Sequence, residues 1–213
     1  MGVTLAAGGS LRWVRDIFGS AEMEVAKWTG DDVYDLLARE ASKSEPGSEG
    51  LLFLPYLIGE RCPHPDPHAR GGFIGLTLRH NRRHILRSVF EGVIFSLNDV
   101  AEIIRHMGLP IHQIRTSGGG ALSDLWRQIH ADVFNGEVIT MSASAEGGAY
   151  GAALVAGAGV GIWPTVEDAV RVVTPETVNR PIQAHVDVYS KLFRVYRQLY
   201  GALKDSFDQI AGI

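Results

Sequence analysis

Apolar residues recur at intervals of three and four positions along most of the chain, which is the spacing of one face of an α-helix. Ser10 is suited to cap the amino terminus of the first such helix, and Gly108 to follow the end of the long helix with apolar residues from Leu86 to Ile104. A small-residue helix is also predicted over 149–157. The apolar stripes are Leu11, Val14, Ile17 and Phe18; Val33, Leu36, Leu37 and Ala41; Leu86, Val89, Phe90, Val93, Leu97, Val100, Ala101 and Ile104; Leu122, Leu125, Trp126, Ile129 and Val133; and Tyr189, Leu192, Phe193, Tyr196, Leu199, Tyr200, Leu203, Phe207 and Ile210.

Short apolar runs separate these helices and are predicted to form strands. They lie before Gly8, over 51–57 and 72–78, before the glycines at 118–120, and at Val138-Ile139-Thr140. Strands that alternate with helices predict parallel pairing through right-handed crossovers, and therefore a layered α/β domain. In such a sheet the glycine turns fall at the carboxyl ends of strands, where ligands bind.

The turn from Ile114 to Asp124 is the strongest candidate for a binding site. Its three consecutive glycines, 118–120, remove every Cβ, so the backbone can take positive φ and approach a bound group closely. Unpaired N–H groups at the start of the next helix favour an anion or a polar ligand edge. A tight packing turn is the alternative. Ser123 stands where the dinucleotide fingerprint has a third glycine, and no Walker Lys-Ser or Lys-Thr follows, so the turn predicts a different nucleotide or phosphate cradle.

Composition narrows the possible functions. The chain is 46% hydrophobic, enough for a buried core, and its net charge of -4 gives no reason to expect nucleic acid, despite a basic cluster at 79–84. The sequence contains no run of 18 apolar residues, so no membrane-spanning helix is predicted. The single cysteine, Cys62, fits a reducing cytoplasm. The amino terminus lacks the layout of a signal peptide, and we expect the sequence to begin midway through a domain.

A loop over 58–71 carries charges and prolines together. His64 and His68 are four positions apart, but the prolines between and beside them prevent a shared helical face, so a metal pair is not expected. Glu60 and Arg61 are interpreted as a structural ion pair, with contact to a substrate or a partner domain as the alternative.

The chain resembles the FGGY family of carbohydrate kinases over nearly its whole length. The loop from Leu54 to Gly71 looks like the form found in xylulose kinases. The second signature of the family is matched by Gly71, Phe73, Gly75, Leu76, His84, Ile85, Ser88, Val89, Phe90 and Glu91.

The resemblance implies an actin-like, ribonuclease-H-like ATPase fold, with residues 1–213 as a carboxyl-terminal domain that lacks its first strands. The implied cofactors are ATP and Mg²⁺. The implied substrate is a sugar, and D-xylulose is the leading candidate. The sugar pocket, the general base and most of the magnesium shell would belong to an absent amino-terminal domain, so no catalytic or metal residue is expected here. A homodimer is possible. The implied nucleotide-binding residues are Gly8, Arg12, Gly119, Gly120, Ala121 and Asp124.

Two other interpretations remain open at this stage. One is another FGGY kinase, for gluconate, glycerol or a different pentulose. The other is a non-catalytic actin-like scaffold that binds nucleotide, against which the complete signature between Phe73 and Glu91 argues. A sugar domain with an aspartate base upstream of this sequence would favour the kinase.

Overall fold

A computed structural model describes residues 2–213 as helices arranged around two small sheets. Short 3₁₀ turns cover Ser48–Gly50 and Gly119–Leu122. The helices are α1 (Ala7–Phe18), α2 (Ser20–Thr29), α3 (Val33–Ala41), α4 (Arg82–His106), α5 (Asp124–Phe134), α6 (Gly148–Gly159), α7 (Val166–Val170) and α8 (Gln183–Ala211). The strands are β1 (Leu52–Leu54), β2 (Gly72–Ile74), β3 (Ile114–Thr116), β4 (Val138–Met141) and β5 (Pro175–Asn179).

The sheet formed by β3, β4 and β5 follows the prediction in part. β3 and β4 pair in parallel, with Ile114 opposite Val138, and α5 is the crossover between them. The turns after both strands therefore lie at the same edge of the sheet, as expected. β5, which was not predicted, adds antiparallel to β4. Its sequence is largely exposed and lacks an apolar alternation, so hydrophobic periodicity gave no signal for it.

The prediction of parallel pairing is wrong for the other two strands. β1 and β2 pair antiparallel in a separate sheet, with Phe53 opposite Phe73. The connection between them is the proline-rich loop and contains no helix. A parallel pair needs a long crossover, usually helical, whereas a loop can return the chain to pair antiparallel.

The amino-terminal segment also differs from its prediction. No strand precedes Gly8 within residues 2–213, and α1 already begins at Ala7. Ser10 lies inside α1 and donates its hydroxyl hydrogen bond to the carbonyl of Ala6 at 2.5 Å, so it is not the N-cap. Packing compensates for the poor helix propensity of the glycines, because Leu11 and Val14 are buried in the core. α2 was not predicted.

The long helix α4 forms the centre of the core, as its apolar stripe predicted. Asn81 caps its amino terminus, with the His84 side chain accepting from the Asn81 N–H to complete a capping box. Core residues on α1, α3 and α5 pack against one part of α4, and residues of α8 pack around Phe95. The helix ends at His106, and Gly108 follows with φ +78°, as the glycine suggested. In the described part of the chain, no helix has the length and apolar character needed to cross a bilayer.

Candidate functional site

A cavity of about 460 Å³ lies where α1, α3, α4 and the glycine turn meet. Segments that are far apart in sequence therefore contribute to one site. Its walls are mainly apolar and aromatic, and none of its lining residues is basic. The lining residues are Gly8, Leu11, Asp32, Tyr34, Asp35, Phe90, Gly119, Gly120, Leu122, Ser123 and Trp126.

The glycine turn begins where β3 ends. Gly118 has φ +79°, a conformation that side chains rarely adopt, and its N–H donates to the Ser144 carbonyl at 2.7 Å in the turn after β4. Gly119 and Gly120 then open the 3₁₀ turn, and the first N–H groups of such a turn have no partner inside it. Ser123 caps α5 by accepting from the Trp126 N–H at 3.4 Å. The turn therefore presents free backbone donors next to the cavity.

Position 120 needs a glycine because a neighbouring side chain leaves no room for a Cβ, and not because of the backbone φ angle. A Cβ at this position would lie 2.6 Å from the Trp126 ring, closer than real contacts allow. The Trp126 ring packs edge-on against Phe90, with centroids 5.8 Å apart, and its residue is only 8% exposed. The expectation of positive φ within the turn holds for Gly118 alone. The absence of a Cβ at Gly120 thus allows an aromatic wall to stand directly against the turn.

This contact leads to a prediction with a matched control. We expect Gly120→Ala to reduce the free energy of unfolding by about 1–3 kcal/mol, because the added methyl must displace Trp126. Gly119→Ala is the control, since its Cβ meets no atom within 4 Å and its φ is not positive. Urea denaturation followed by tryptophan fluorescence measures both. Equal stability losses in the two variants would contradict the assignment of Trp126 as the obstacle.

The structure brings some of the proposed binding residues together. Gly8, Gly119 and Gly120 line the cavity. Arg12 lies one turn after Gly8 on α1 and is exposed, so it is close to the rim without lining the wall. Ala121 is buried, and its carbonyl accepts a hydrogen bond from Arg127 at 2.6 Å. Ala121 therefore supports the turn from behind.

Asp124 points to a neighbouring region. Its side chain is 91% exposed and forms an ion pair with Arg127, one turn further along α5. It lines an adjacent cavity of about 500 Å³, which shares Asp35, Leu122 and Ser123 with the first. The two cavities together form a continuous surface across the amino-terminal end of α5.

Glu60 and Arg61 make a different contact from the one expected. Within residues 2–213 they form no ion pair with each other. Instead, Glu60 is 3% exposed, and its Oε1 accepts from the N–H groups of Leu5 at 3.0 Å and Arg61 at 2.7 Å. Burial raises the pKa of Glu60, while these N–H groups oppose that rise. The carboxylate thus ties the segment before α1 to the proline loop.

The histidines of the same loop do not face one another. His64 stacks on Tyr200 with ring centroids 3.7 Å apart, whereas His68 contacts Asp208 at 2.9 Å. Ligand atoms of Asp66, His68 and Asp208 lie within 4.8 Å of one another, but none of these residues lines the cavity. This group of possible ligands therefore lies apart from the cavity.

Sequence reasoning missed one wall of the site. Asp32, Tyr34 and Asp35 reach the cavity from α3, whose apolar stripe indicated only a core helix. Trp126 was assigned to the core as well, and it is both buried and part of the cavity wall. The polar residues at the start of α3 could have indicated a binding surface, but their position relative to the glycine turn depends on tertiary packing.

The chain matches one family of known proteins. The model for the FGGY family of carbohydrate kinases, C-terminal domain, matches residues 1–160. Xylulose kinase of Bacillus subtilis (strain 168) is 38% identical over 206 residues, or 96% of this chain. Gluconokinase of Bacillus licheniformis is 38% identical over 202 residues, or 94% of it. The chain spans 39% of the length of each of these relatives.

Solved structures show the same likeness. Ligand-bound xylulose kinase from Lactobacillus acidophilus and gluconate kinase from the same organism each superpose with a TM-score of 0.79 at 30% identity. Each match covers 98% of this chain and 40% of the solved chain. The structural neighbours are sugar kinases with an actin-like ATPase fold, and the α/β arrangement described above is part of that fold.

Proposed function

Because the chain belongs to the FGGY family of carbohydrate kinases, we propose that residues 1–213 are the ATP-binding carboxyl-terminal domain of a sugar kinase. The observation that carries the proposal is the cavity shared by Gly8 and the glycine turn. The family resemblance implied that both segments contact one nucleotide, and they are more than one hundred positions apart. Their convergence on an apolar, aromatic cavity suits the base of a nucleotide.

The proposed roles follow from the position of each group. Gly119 and Gly120 allow close approach and offer N–H donors, while Ala121 is held in place by Arg127. The exposed Asp124 carboxylate, in the adjacent cavity, is placed to accept from the ribose hydroxyls, and the exposed Arg12 guanidinium, near the rim, to donate to the phosphates. ATP supplies the phosphoryl group to be transferred. As the family resemblance implies, most of the Mg²⁺ shell would come from another part of the protein.

The proposed acceptor is a sugar hydroxyl, with D-xylulose as the first candidate and gluconate as the second. Xylulose kinases and gluconokinases are matched at the same 38% identity, so this part of the protein does not separate them. Comparison of kcat/KM for D-xylulose and gluconate, measured on a longer protein that contains this sequence, tests the choice. Preference for gluconate would replace the first candidate with the second.

Titration of the chain with ADP tests the nucleotide site itself. We expect binding, and we expect Asp124→Ala to weaken it by about 1 kcal/mol, roughly fivefold, through the loss of one hydrogen bond to the nucleoside. Asp168→Ala is the control, because it removes another i,i+3 partner of an arginine, Arg171, outside the cavity. Calorimetry showing no ADP binding would overturn the proposed function. Unchanged affinity in Asp124→Ala would remove Asp124 alone from the site.

A further inference from the structure

The charges around the cavity are all of one sign. Two carboxylates, from Asp32 and Asp35, lie among its lining residues, and no arginine, lysine or histidine is present to balance them. Phosphate groups placed inside this cavity would be repelled by the carboxylates, because the nearest cation that lines a neighbouring wall, Arg39, belongs to the adjacent cavity. The cavity therefore suits the uncharged end of a nucleotide, and the phosphates have to lie outside it.

The two carboxylates are not equivalent. Asp32 caps α3, since its Oδ1 accepts from the N–H groups of Tyr34 at 2.7 Å and Asp35 at 3.2 Å. The Asp35 carboxylate makes no ion pair or side-chain hydrogen bond with any residue between 2 and 213. It also lines both cavities, and so stands where they join. Both oxygens of the exposed Asp35 carboxylate thus remain available to a ligand, whereas Asp32 Oδ1 is occupied by the cap.

We infer that Asp35 is a specificity-determining residue that selects a purine base with an exocyclic amino group. The inference rests on the proposed function, because it places the base of the nucleotide in the cavity. A carboxylate is only an acceptor, so it favours the N–H donors of the 6-amino group of adenine. A base that lacks this group would leave the carboxylate partly desolvated and without a donor, which reduces affinity.

A pair of ligands that differ only at this amino group provides the test. ADP and purine riboside 5′-diphosphate, which carries hydrogen in place of the amine, are titrated into the chain by calorimetry. We expect a preference for ADP of roughly five- to tenfold, which is the range for one hydrogen bond to a charged acceptor partly open to water. In Asp35→Ala the preference should fall to about twofold or less, and in Asp35→Asn, which keeps one neutral acceptor oxygen, it should fall to a value between those of Asp35→Ala and the wild type.

Asp31→Ala is the matched control. It removes a neighbouring exposed carboxylate that does not line the cavity, and the preference for ADP should remain. Asp35→Asn keeps the shape of the side chain, and thermal unfolding of each variant verifies that α3 is intact. Binding of ADP with the same preference in wild type and Asp35→Ala would overturn the role of Asp35 and leave the proposed function standing. Failure of the wild type to bind ADP would overturn both.

Discussion

The 213-residue chain on its own is expected to bind ATP and to show no transfer of phosphate to D-xylulose or gluconate. Phosphoryl transfer depends on positioning and charge stabilisation, together with a group that accepts the proton of the sugar hydroxyl. General-base catalysis typically contributes roughly 10²–10⁴-fold, and the alignment of two substrates contributes further. The contacts of the acidic residues decide whether this chain can supply such a base.

The candidate bases are Glu60, Asp66, Glu91 and Asp124, and each of these carboxylates has another partner. Glu60 is buried and accepts backbone N–H groups, and Asp66 accepts from the Tyr200 hydroxyl at 2.9 Å. Glu91 is buried beside Arg87, and Asp124 is paired with Arg127. None of them is free at the cavity to accept a proton from a second substrate, and Asp35, which lines the cavity without a partner among residues 2–213, is assigned to the base of the nucleotide. Under the proposed function, the base would come from another part of the kinase, and closure around the substrates would exclude water.

An assay that couples ADP release to the sugar measures this directly. It is run with the chain alone, and then with a longer protein in which an amino-terminal half is joined to this sequence. Sugar-dependent turnover that requires the longer protein is the expected result. Full turnover by residues 1–213 would contradict it, and substitution of each of the four acids by its amide would then identify the base.

Apolar periodicity predicted those helices and turns whose local sequence pattern matches the burial and backbone conformation of their residues in the fold. α4 carries an unbroken apolar stripe because nearly every one of its faces is covered, and both a cap at Asn81 and a glycine at 108 mark its limits. The glycine turn was equally visible, because its backbone conformation depends on residue type at Gly118. In both cases the residues concerned are close together in sequence.

Features that depend on distant contacts were not predictable in the same way. The glycines at 8 and 9 suggested a turn, but packing of Leu11 and Val14 draws them into α1. The role of Gly120 depends on where the Trp126 ring lies, and the sequence alone cannot place that ring. Likewise, Asp35 belongs to the cavity only because α3 packs on α4 beside the turn. Such information is contained in tertiary contacts and not in local periodicity.

Glu91, the last residue of the family signature, is held in a buried polar network. Its carboxylate accepts from Arg87 Nε at 2.7 Å, from the Tyr189 hydroxyl at 2.8 Å and from the Gly47 N–H at 2.8 Å. The Ser48 hydroxyl donates to its other oxygen at 2.9 Å. The network joins α4, α8 and the loop before β1. The position thus serves the packing of the domain, and no ligand is needed to explain a carboxylate there.

Arg87→Met is expected to lower the free energy of unfolding by about 3–5 kcal/mol, because it leaves the Glu91 carboxylate buried without its cation. That loss is a large part of the total stability of a typical domain, which is about 5–15 kcal/mol. Lys27→Ala is the control. It removes an exposed pair with Glu24, in which the side chains are 67% and 64% exposed, and should cost at most about 1 kcal/mol.

The double variant Arg87→Met, Glu91→Gln separates charge from packing. Glutamine removes the uncompensated charge, keeps one oxygen to accept from the Gly47 N–H, and can donate from its NH₂ group to the Ser48 hydroxyl oxygen. We therefore expect the double variant to be more stable than Arg87→Met alone, since a buried charge without its partner costs more than the loss of both charges. Urea denaturation of all four proteins measures the differences. A loss for Arg87→Met as small as that for Lys27→Ala would show that water reaches Glu91, and that the network does not hold α8 against α4.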